Sequence, residues 1–185
     1  MKFALKESNL TIEALSKGLI TAIWKNSKEY QSFNHQKQLI LFPTLIHKEL
    51  GNIRDEFRFL SDNQAKPNKD NQVKIRYWAE IEKEINIENL NQLLSISKEL
   101  IYTDEYLQSS WDSNQKGEIL IVRTYKLSNP VLITNSQEYA NNKPYIELKV
   151  DIPRVGSDPV LSYKEFSQRV KLIKNLLEEA SLVTS

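Results

Sequence analysis

Apolar residues occupy every second position from Val73 to Ile81, and this pattern constrains the fold more than any other part of the sequence. The positions between them carry Lys74, Arg76, Trp78 and Glu80, and Glu82 follows. Successive side chains of a β-strand point to opposite faces, so a period of two residues predicts a strand with one buried face. The chain therefore has to build a sheet.

Four further segments predict strands, near residues 19–24, 38–42, 118–127 and 145–152. Each is apolar or alternating in character, and polar or turn-forming residues bound it on at least one side. The segment 118–127 is the strongest of the four. Together with the alternating segment near 73–82, these predict five strands.

Helical spacing of apolar residues recurs in the rest of the sequence. The predicted helices cover residues 5–17, 46–60, 90–100 and 162–181. Gly18 stands where a glycine commonly ends a helix. Ser162 and Glu165 form a capping box at the start of the last helix, which is the clearest of the four.

Five strands interrupted by three or four helices favour an α+β fold. We expect a mixed, largely antiparallel five-stranded sheet or an open pseudobarrel. A chain of 185 residues lies near the usual size of one domain, so residues 1–185 are expected to form a single domain.

Composition excludes several classes of protein. Cysteine is absent, so disulfides, a thiolate nucleophile and a cysteine-bound metal are excluded. The four glycines are scattered and match neither of the two common glycine-rich phosphate-binding motifs. The net charge of +1 provides no global field toward nucleic acid or anionic lipid. The N-terminus has neither a signal-peptide pattern nor a membrane span, so we expect a cytoplasmic protein that does not bind membranes.

A set of short motifs in a fixed order runs through nearly the whole chain. They are LKE at Leu5–Glu7, EAL at Glu13–Leu15, LFPT at Leu41–Thr44, WAE at Trp78–Glu80, VRTYKLSNPV at Val122–Val131, IEL at Ile146–Leu148 and PVLS at Pro159–Ser162. In this order and spacing the set resembles the family of the domain of unknown function 1802. That family is uncharacterised, so the resemblance implies membership and no activity.

The favoured function is a binding module for nucleic acid or a modified nucleotide. A helix that ends in glycine and leads directly into a strand is similar to the opening of small pseudobarrels of the PUA and ASCH type. Such modules hold a base or an RNA backbone with aromatic rings and cationic side chains. The candidate binding residues are Trp24, Arg76, Trp78, Arg123 and Tyr125. This function implies RNA or DNA as the partner. A binding module of this kind needs no cofactor.

The first alternative is a divergent Mg²⁺-dependent nuclease of the PD-(D/E)xK type. Glu147 and Lys149 flank Leu148 in a predicted strand, so both side chains would lie on one face. Glu118 or Asp112, next to the neighbouring predicted strand, would complete the metal site. An E-x-K pattern is also typical of a solvated strand face.

Two other patterns suggest no reaction. The only histidines are His35 and His47, which are too few and too far from carboxylates to predict a zinc site. Lys164, Lys171 and Lys174 share one face of the last helix with Glu178, which is typical of a solvated helix face.

A protein partner remains the second alternative, in which the chain is an interaction or regulatory subunit. Whether the protein is an enzyme stays open.

Overall fold

A computed structural model describes residues 1–26, 36–44, 50–63, 70–111, 117–140 and 143–183. Within these ranges the chain is a mixed α+β structure whose sheet curls into a half-barrel. The strands are β1 (Phe3–Ser8), β2 (Ala22–Lys25), β3 (Gln38–Thr44), β4 (Gln72–Ile87), β5 (Gly117–Thr134), β6 (Tyr145–Glu147) and β7 (Asp158–Pro159). The helices are α1 (Asn9–Ser16), α2 (Leu90–Ser95), α3 (Asp104–Ser110) and α4 (Tyr163–Val183). The predicted α+β class is confirmed.

The sheet is largely antiparallel, as predicted. Its strand order is β2-β5-β4-β3-β1-β6, and β7 pairs with β5 beside this path. Among the described strands, only β1 and β3 pair in parallel. Lys25 at the end of β2 forms a buried salt bridge with Glu7 of β1, which links the edge strand β2 to a strand four places away in the order.

Strands β4 and β5 form the long antiparallel ribbon on which the sheet is built. Their pairing shifts register between Ile75 and Tyr77, and again between Ile81 and Lys83. Such irregularities bend and twist a strand. Trp78 was predicted on the polar face of β4, but it is buried among the residues of a second apolar cluster. The sequence pattern did not predict this, because the shift near Arg76 changes the face to which the following side chains point.

Two apolar clusters cover the sheet. The larger one includes Ile23, Leu41 and Ile121 together with Phe166, Ile173 and Leu177 of α4. The smaller one contains Ile75, Trp78, Leu127, Ile146 and Ile152. The apolar stripe predicted for the last helix is confirmed by this packing. Its capping box is also confirmed, since Ser162 N–H donates to Glu165 at 3.0 Å and Glu165 N–H donates to the Ser162 hydroxyl at 3.3 Å.

The predicted helix at 5–17 begins later than expected. Its first part is the strand β1, in which Ala4 and Leu5 are buried against β3. The helix begins only after Ser8, whose hydroxyl accepts from Thr11 N–H at 3.0 Å. A strand that pairs with a distant part of the chain therefore replaces the local helical pattern.

The predicted helix at 46–60 is wrong for the residues that the structure describes there. They form two 3-10 helices, Leu50–Asn52 and Asp55–Asn63. Between these, Ile53 forms a β-bridge with Tyr102, and Arg54 N–H donates to the Ile101 carbonyl at 3.0 Å. These bonds to a distant segment prevent a continuous α-helix.

The predicted strand at 145–152 is too long, and the predicted helix at 90–100 ends too late. Strand β6 ends at Glu147, and beyond it Lys149 N–H donates to the Tyr139 hydroxyl at 2.9 Å. Helix α2 ends at Ser95, and a 3-10 helix follows at Ser97–Glu99.

Gly117 lies where the start of β5 meets the ring of Trp24. A Cβ atom at Gly117 would lie 1.8 Å from the nearest ring atom of Trp24, whereas a Cβ atom at Gly51 would meet nothing within 4 Å. We expect Gly117→Ala to lower the free energy of unfolding by about 1–3 kcal/mol, because the buried ring has to move. Gly51→Ala should change it by no more than about 0.5 kcal/mol. Urea denaturation measures both, and equal stabilities of the two variants would contradict this packing.

Candidate functional site

The structure separates the five predicted binding residues into three places. Trp24 lies in the larger apolar cluster, with 6% of its surface exposed. Its ring stacks on Trp111 at a centroid distance of 6.1 Å, and its Nε1 donates to the Ser110 hydroxyl at 3.3 Å. Trp24 therefore stabilises the core and has no ring face to offer a ligand.

Arg76 lies beside α1, where it pairs with Glu13 at 3.3 Å. The two side chains line a small cleft whose floor includes Ile12 and Leu41. Glu13 is buried, so the guanidinium of Arg76 neutralises a carboxylate that would otherwise be costly in this position. This role is structural.

The other three predicted residues come together on β4 and β5. Trp78 and Tyr125 are directly opposite each other in the ladder, and their rings stack at 4.1 Å with an interplanar angle of 6°. The guanidinium carbon of Arg123 lies 5.5 Å from the centre of the Tyr125 ring, and that of Arg154 lies 5.0 Å from the centre of the Trp78 ring. The stacked ring pair therefore has one guanidinium near each ring. We call Arg154, Trp78, Tyr125 and Arg123 the arginine–aromatic stack.

A polar network holds the stack in place. Arg154 donates to the side-chain oxygen of Gln38, and the Gln38 amide donates to Glu80 at 3.1 Å. The Tyr125 hydroxyl donates to the other oxygen of Glu80 at 3.4 Å. Burial raises the pKa of Tyr125; the nearby Arg123 opposes this shift and Glu80 adds to it. The phenol therefore remains a neutral donor around pH 7.

Arg154 reaches the stack through the segment that follows β6. This segment ends in β7, where Pro159 pairs with Tyr125. The Ser128 hydroxyl of β5 donates to the Val155 carbonyl at 2.9 Å, which fixes the residue after Arg154. The position of Arg154 therefore depends on the pairing of β7 with β5.

Among the described residues, the two arginines of the stack lack a direct salt bridge, although Glu80 belongs to the same network and faces Arg123 across the β4–β5 ladder. Arg123 and Arg154 are both half-buried, and in the part of the chain that the structure describes neither has a carboxylate within 4.0 Å. The buried Nε of Arg123 and the buried Nε1 of Trp78 find no acceptor among the described residues. Buried N–H donors without acceptors are costly, and an arginine without a carboxylate favours a nearby anion.

Tyr163 adds an accessible ring to the site. It is the first residue of α4 and is 73% exposed. The guanidinium carbon of Arg123 lies 5.7 Å from the centre of the Tyr163 ring and 5.9 Å from that of Phe166. Arg123 is thus shared between the stack and the start of α4, and the site presents a cation beside an exposed aromatic ring.

Sequence reasoning missed Arg154 and Tyr163. Arg154 lies in a segment without periodicity, and only the β7–β5 pairing brings it to Trp78. Tyr163 follows the predicted capping serine and lies outside the apolar stripe of the helix. The only signal in the sequence was an aromatic residue outside the apolar stripe, and it is a weak one, because single exposed apolar residues are common on protein surfaces.

Among the described strands, the pairing that the nuclease alternative required is not found. Strand β6, which ends at Glu147, pairs with β1, and three strands separate it from β5 with Glu118. The side chain of Lys149 donates to Glu138 at 2.8 Å, outside β6. Asp112 lies outside the described residues. No group of three or more His, Asp or Glu side chains in the described ranges could hold a metal ion.

Two further sequence predictions concern residues or properties beyond this site. His35 and His47 both lie outside the described residues, so their predicted roles stay predictions. In the described ranges, none of the helices combines the length and the apolar character needed to cross a membrane.

Comparison with known proteins gives a family and a similar fold. The family model "Domain of unknown function (DUF1802)" matches residues 4–172. None of the curated proteins matches the chain. The chain is similar to a mutant form of ZmASCH from Zymomonas mobilis, at 12% identity and a TM-score of 0.48, over 92% of this chain and 94% of that chain. It is also similar to ASCH from the same organism, at 13% identity and a TM-score of 0.46, with the same coverage. Similarity at this level transfers neither an activity nor a ligand to this chain.

Glu118 generates a prediction about pH. Burial and, secondarily, the nearby Glu84 carboxylate raise the pKa of Glu118 to about 7, from an ordinary value of 4.5. The folded state therefore binds this proton more tightly than the unfolded state does. Binding of this proton stabilises the folded state fully below pH 4.5, and this stabilisation is lost as the pH rises to about 7.

Glu118→Gln should remove this loss. The free energy of unfolding of the variant relative to that of the wild type should therefore be larger at about pH 8 than at about pH 5. Glu84→Gln removes only the secondary cause and should reduce the loss without abolishing it. Urea denaturation at both pH values measures the difference. A Glu118→Gln variant whose stability follows that of the wild type at both values would show that this carboxyl group does not titrate in the range.

Proposed function

This chain belongs to the DUF1802 family, and we propose that it binds nucleic acid or a nucleotide at the arginine–aromatic stack and the ring of Tyr163. The observation that carries the proposal is the state of Arg123. Its guanidinium is half-buried near the rings of Tyr125 and Tyr163, and it has no described carboxylate within 4.0 Å. A phosphate group is the anion that fits a planar guanidinium of this kind.

Stacking on a ring leaves the edge of a guanidinium available. The guanidinium carbons of Arg123 and Arg154 lie 5.5 Å and 5.0 Å from the ring centres of Tyr125 and Trp78, and both side chains are half-buried, so N–H groups directed away from the rings can donate to phosphate oxygens. Arg154 also donates to Gln38, which fixes its orientation. A phosphate at this site would give the two guanidiniums the direct anionic partner that they lack among the described residues. The two arginines are therefore assigned to phosphate.

The base is assigned to Tyr163. The rings of Trp78 and Tyr125 were predicted to stack on bases, but each is covered by the other ring and by an arginine. Their role in the proposal is to position the arginines. Tyr163 is exposed beside Arg123, so one nucleotide can place its base on this ring and its phosphate on the guanidinium. Stacking of a base on an aromatic side chain contributes about 1–3 kcal/mol.

Arg123→Gln tests the proposal, because it removes the positive charge and keeps a polar side chain. We expect the affinity for labelled single-stranded RNA or DNA to fall about tenfold or more, since a charge-assisted hydrogen bond contributes about 1.5–3 kcal/mol. The slope of the logarithm of affinity against the logarithm of salt concentration should become shallower by about 0.7, the value for one phosphate contact on a single strand. Fluorescence anisotropy at low salt measures both quantities.

Arg58→Gln is the matched control. Arg58 is half-exposed in the 3-10 helix Asp55–Asn63, where it pairs with Asp55 at 2.8 Å. The Arg58→Gln substitution also removes one positive charge, but at a position outside the stack. The affinity for nucleic acid should therefore stay close to that of the wild type. Circular dichroism checks that both variants fold. Equal affinities of the Arg123→Gln and Arg58→Gln variants, or no binding of either nucleic acid by the wild type, would refute the proposed function.

A further inference from the structure

We propose that the ligand is a single-stranded polynucleotide whose chain continues from the arginine–aromatic stack along one flank of α4. This inference rests on the proposed function and adds the length and the strandedness of the ligand. It starts from the position of Tyr163, which belongs both to the site and to the first turn of α4.

The geometry of α4 places three lysines on the same side as Tyr163. The helix has 21 residues, which corresponds to a length of roughly 31 Å. Phe166, Ile173 and Leu177 are buried and define the inward stripe. With about 100° of rotation per residue, Tyr163 and the lysines fall to one side of this stripe. We call Lys164, Lys171 and Lys174 the lysine flank.

The charge of the lysine flank is not neutralised by the described part of the protein. Lys164 and Lys171 are exposed and Lys174 is half-buried, and none of the three has a described carboxylate within 4.0 Å. On this flank the first carboxylate is that of Glu178, near the end of the helix.

The other flank of α4 differs. Glu165 lies there as an anion, because hydrogen bonds from the Ser162 hydroxyl and backbone lower the pKa of its carboxyl group. Arg169 is also on that side, but it donates to the Leu19 carbonyl at 2.9 Å and to Glu99 at 3.4 Å. Unpaired positive charge on α4 is therefore concentrated on the lysine flank.

The lysine flank adjoins the arginine–aromatic stack, and this changes how the three lysines are interpreted. From the sequence, lysines on one helix face indicate a solvated surface. In the structure this face begins at Tyr163, which Arg123 contacts. Lys164 and Lys171 are seven residues apart, which is roughly 10 Å along the helix, so they provide cations at successive positions for a polyanion. A mononucleotide held at Tyr163 and Arg123 would leave these cations unused.

The accessible ring of Tyr163 favours a single strand. A base can stack on a side chain only if it is not already enclosed between its neighbours in a duplex, and unpaired bases are the usual targets of such rings. The net charge of the chain is only +1, so attraction of a rigid duplex by a global field is not expected. Local contacts along the flank account better for binding of a flexible strand.

The experiment compares fluorescein-labelled oligouridylates of about two and about 12 nucleotides, because Lys171 lies roughly 12 Å along the helix from Tyr163 and only the longer chain can reach it. The wild type should bind the longer oligonucleotide more tightly. Lys171→Ala should weaken binding of the longer one roughly threefold to tenfold and make its salt slope shallower by about 0.7, while it leaves binding of the shorter one unchanged. Arg123→Gln should weaken binding of both. Lys98→Ala is the control, because Lys98 is exposed in the 3-10 helix beside Glu99, on the opposite flank of α4.

The outcomes separate this inference from the proposed function. If Lys171→Ala binds the longer oligonucleotide as Lys98→Ala does, while Arg123→Gln still weakens both, the inference is wrong and the proposed function stands. Equally tight binding of a duplex of the same length would also refute the inference. If Arg123→Gln binds both oligonucleotides as the wild type does, or if the wild type binds neither, the proposed function itself fails.

Discussion

The irregular pairing of β4 with β5 determines which side chains reach the smaller apolar cluster and the candidate site. With an unbroken alternation from Val73 to Ile81, Trp78 would lie on the polar face of β4. The register shift near Arg76 turns Trp78 into the smaller apolar cluster and places it opposite Tyr125. Strand β5 also pairs with β7, which positions Arg154 over Trp78. The core and the candidate site therefore share the same two strands.

Much of the fold can be predicted from local patterns, and the parts that cannot depend on contacts between distant residues. The capping box of Ser162 and Glu165 and the apolar stripe of α4 are local features, and both are confirmed. The segment around Leu5 has a plausible helical pattern, but its pairing with β3 makes it a strand. Ile53 likewise leaves its predicted helix because it bridges to Tyr102. Periodicity within one segment contains no information about such partners.

The same limit explains what was predicted of the site. Trp78, Arg123 and Tyr125 could be predicted together, because they lie on two neighbouring strands. Arg154 and Tyr163 join them through the chain after β6, which no local pattern places. The strand pairing that the nuclease alternative required could not be predicted for a related reason: it placed β6 beside β5, and the E-x-K pattern contains no information about strand order. The family match covers most of the chain but supplies no activity, so the proposed function rests on the chemistry of these residues.

The central claim is that a bound nucleic acid contacts Arg123 and Tyr163. Photo-crosslinking with an oligouridylate that contains 4-thiouridine, followed by mass spectrometry of the crosslinked peptides, tests this contact directly. Crosslinks are expected on the peptide that contains Tyr163, at the start of α4. Crosslinks confined to the cleft of Arg76 and Glu13, or to the edge strand β6, with none near Tyr163, would contradict the claim.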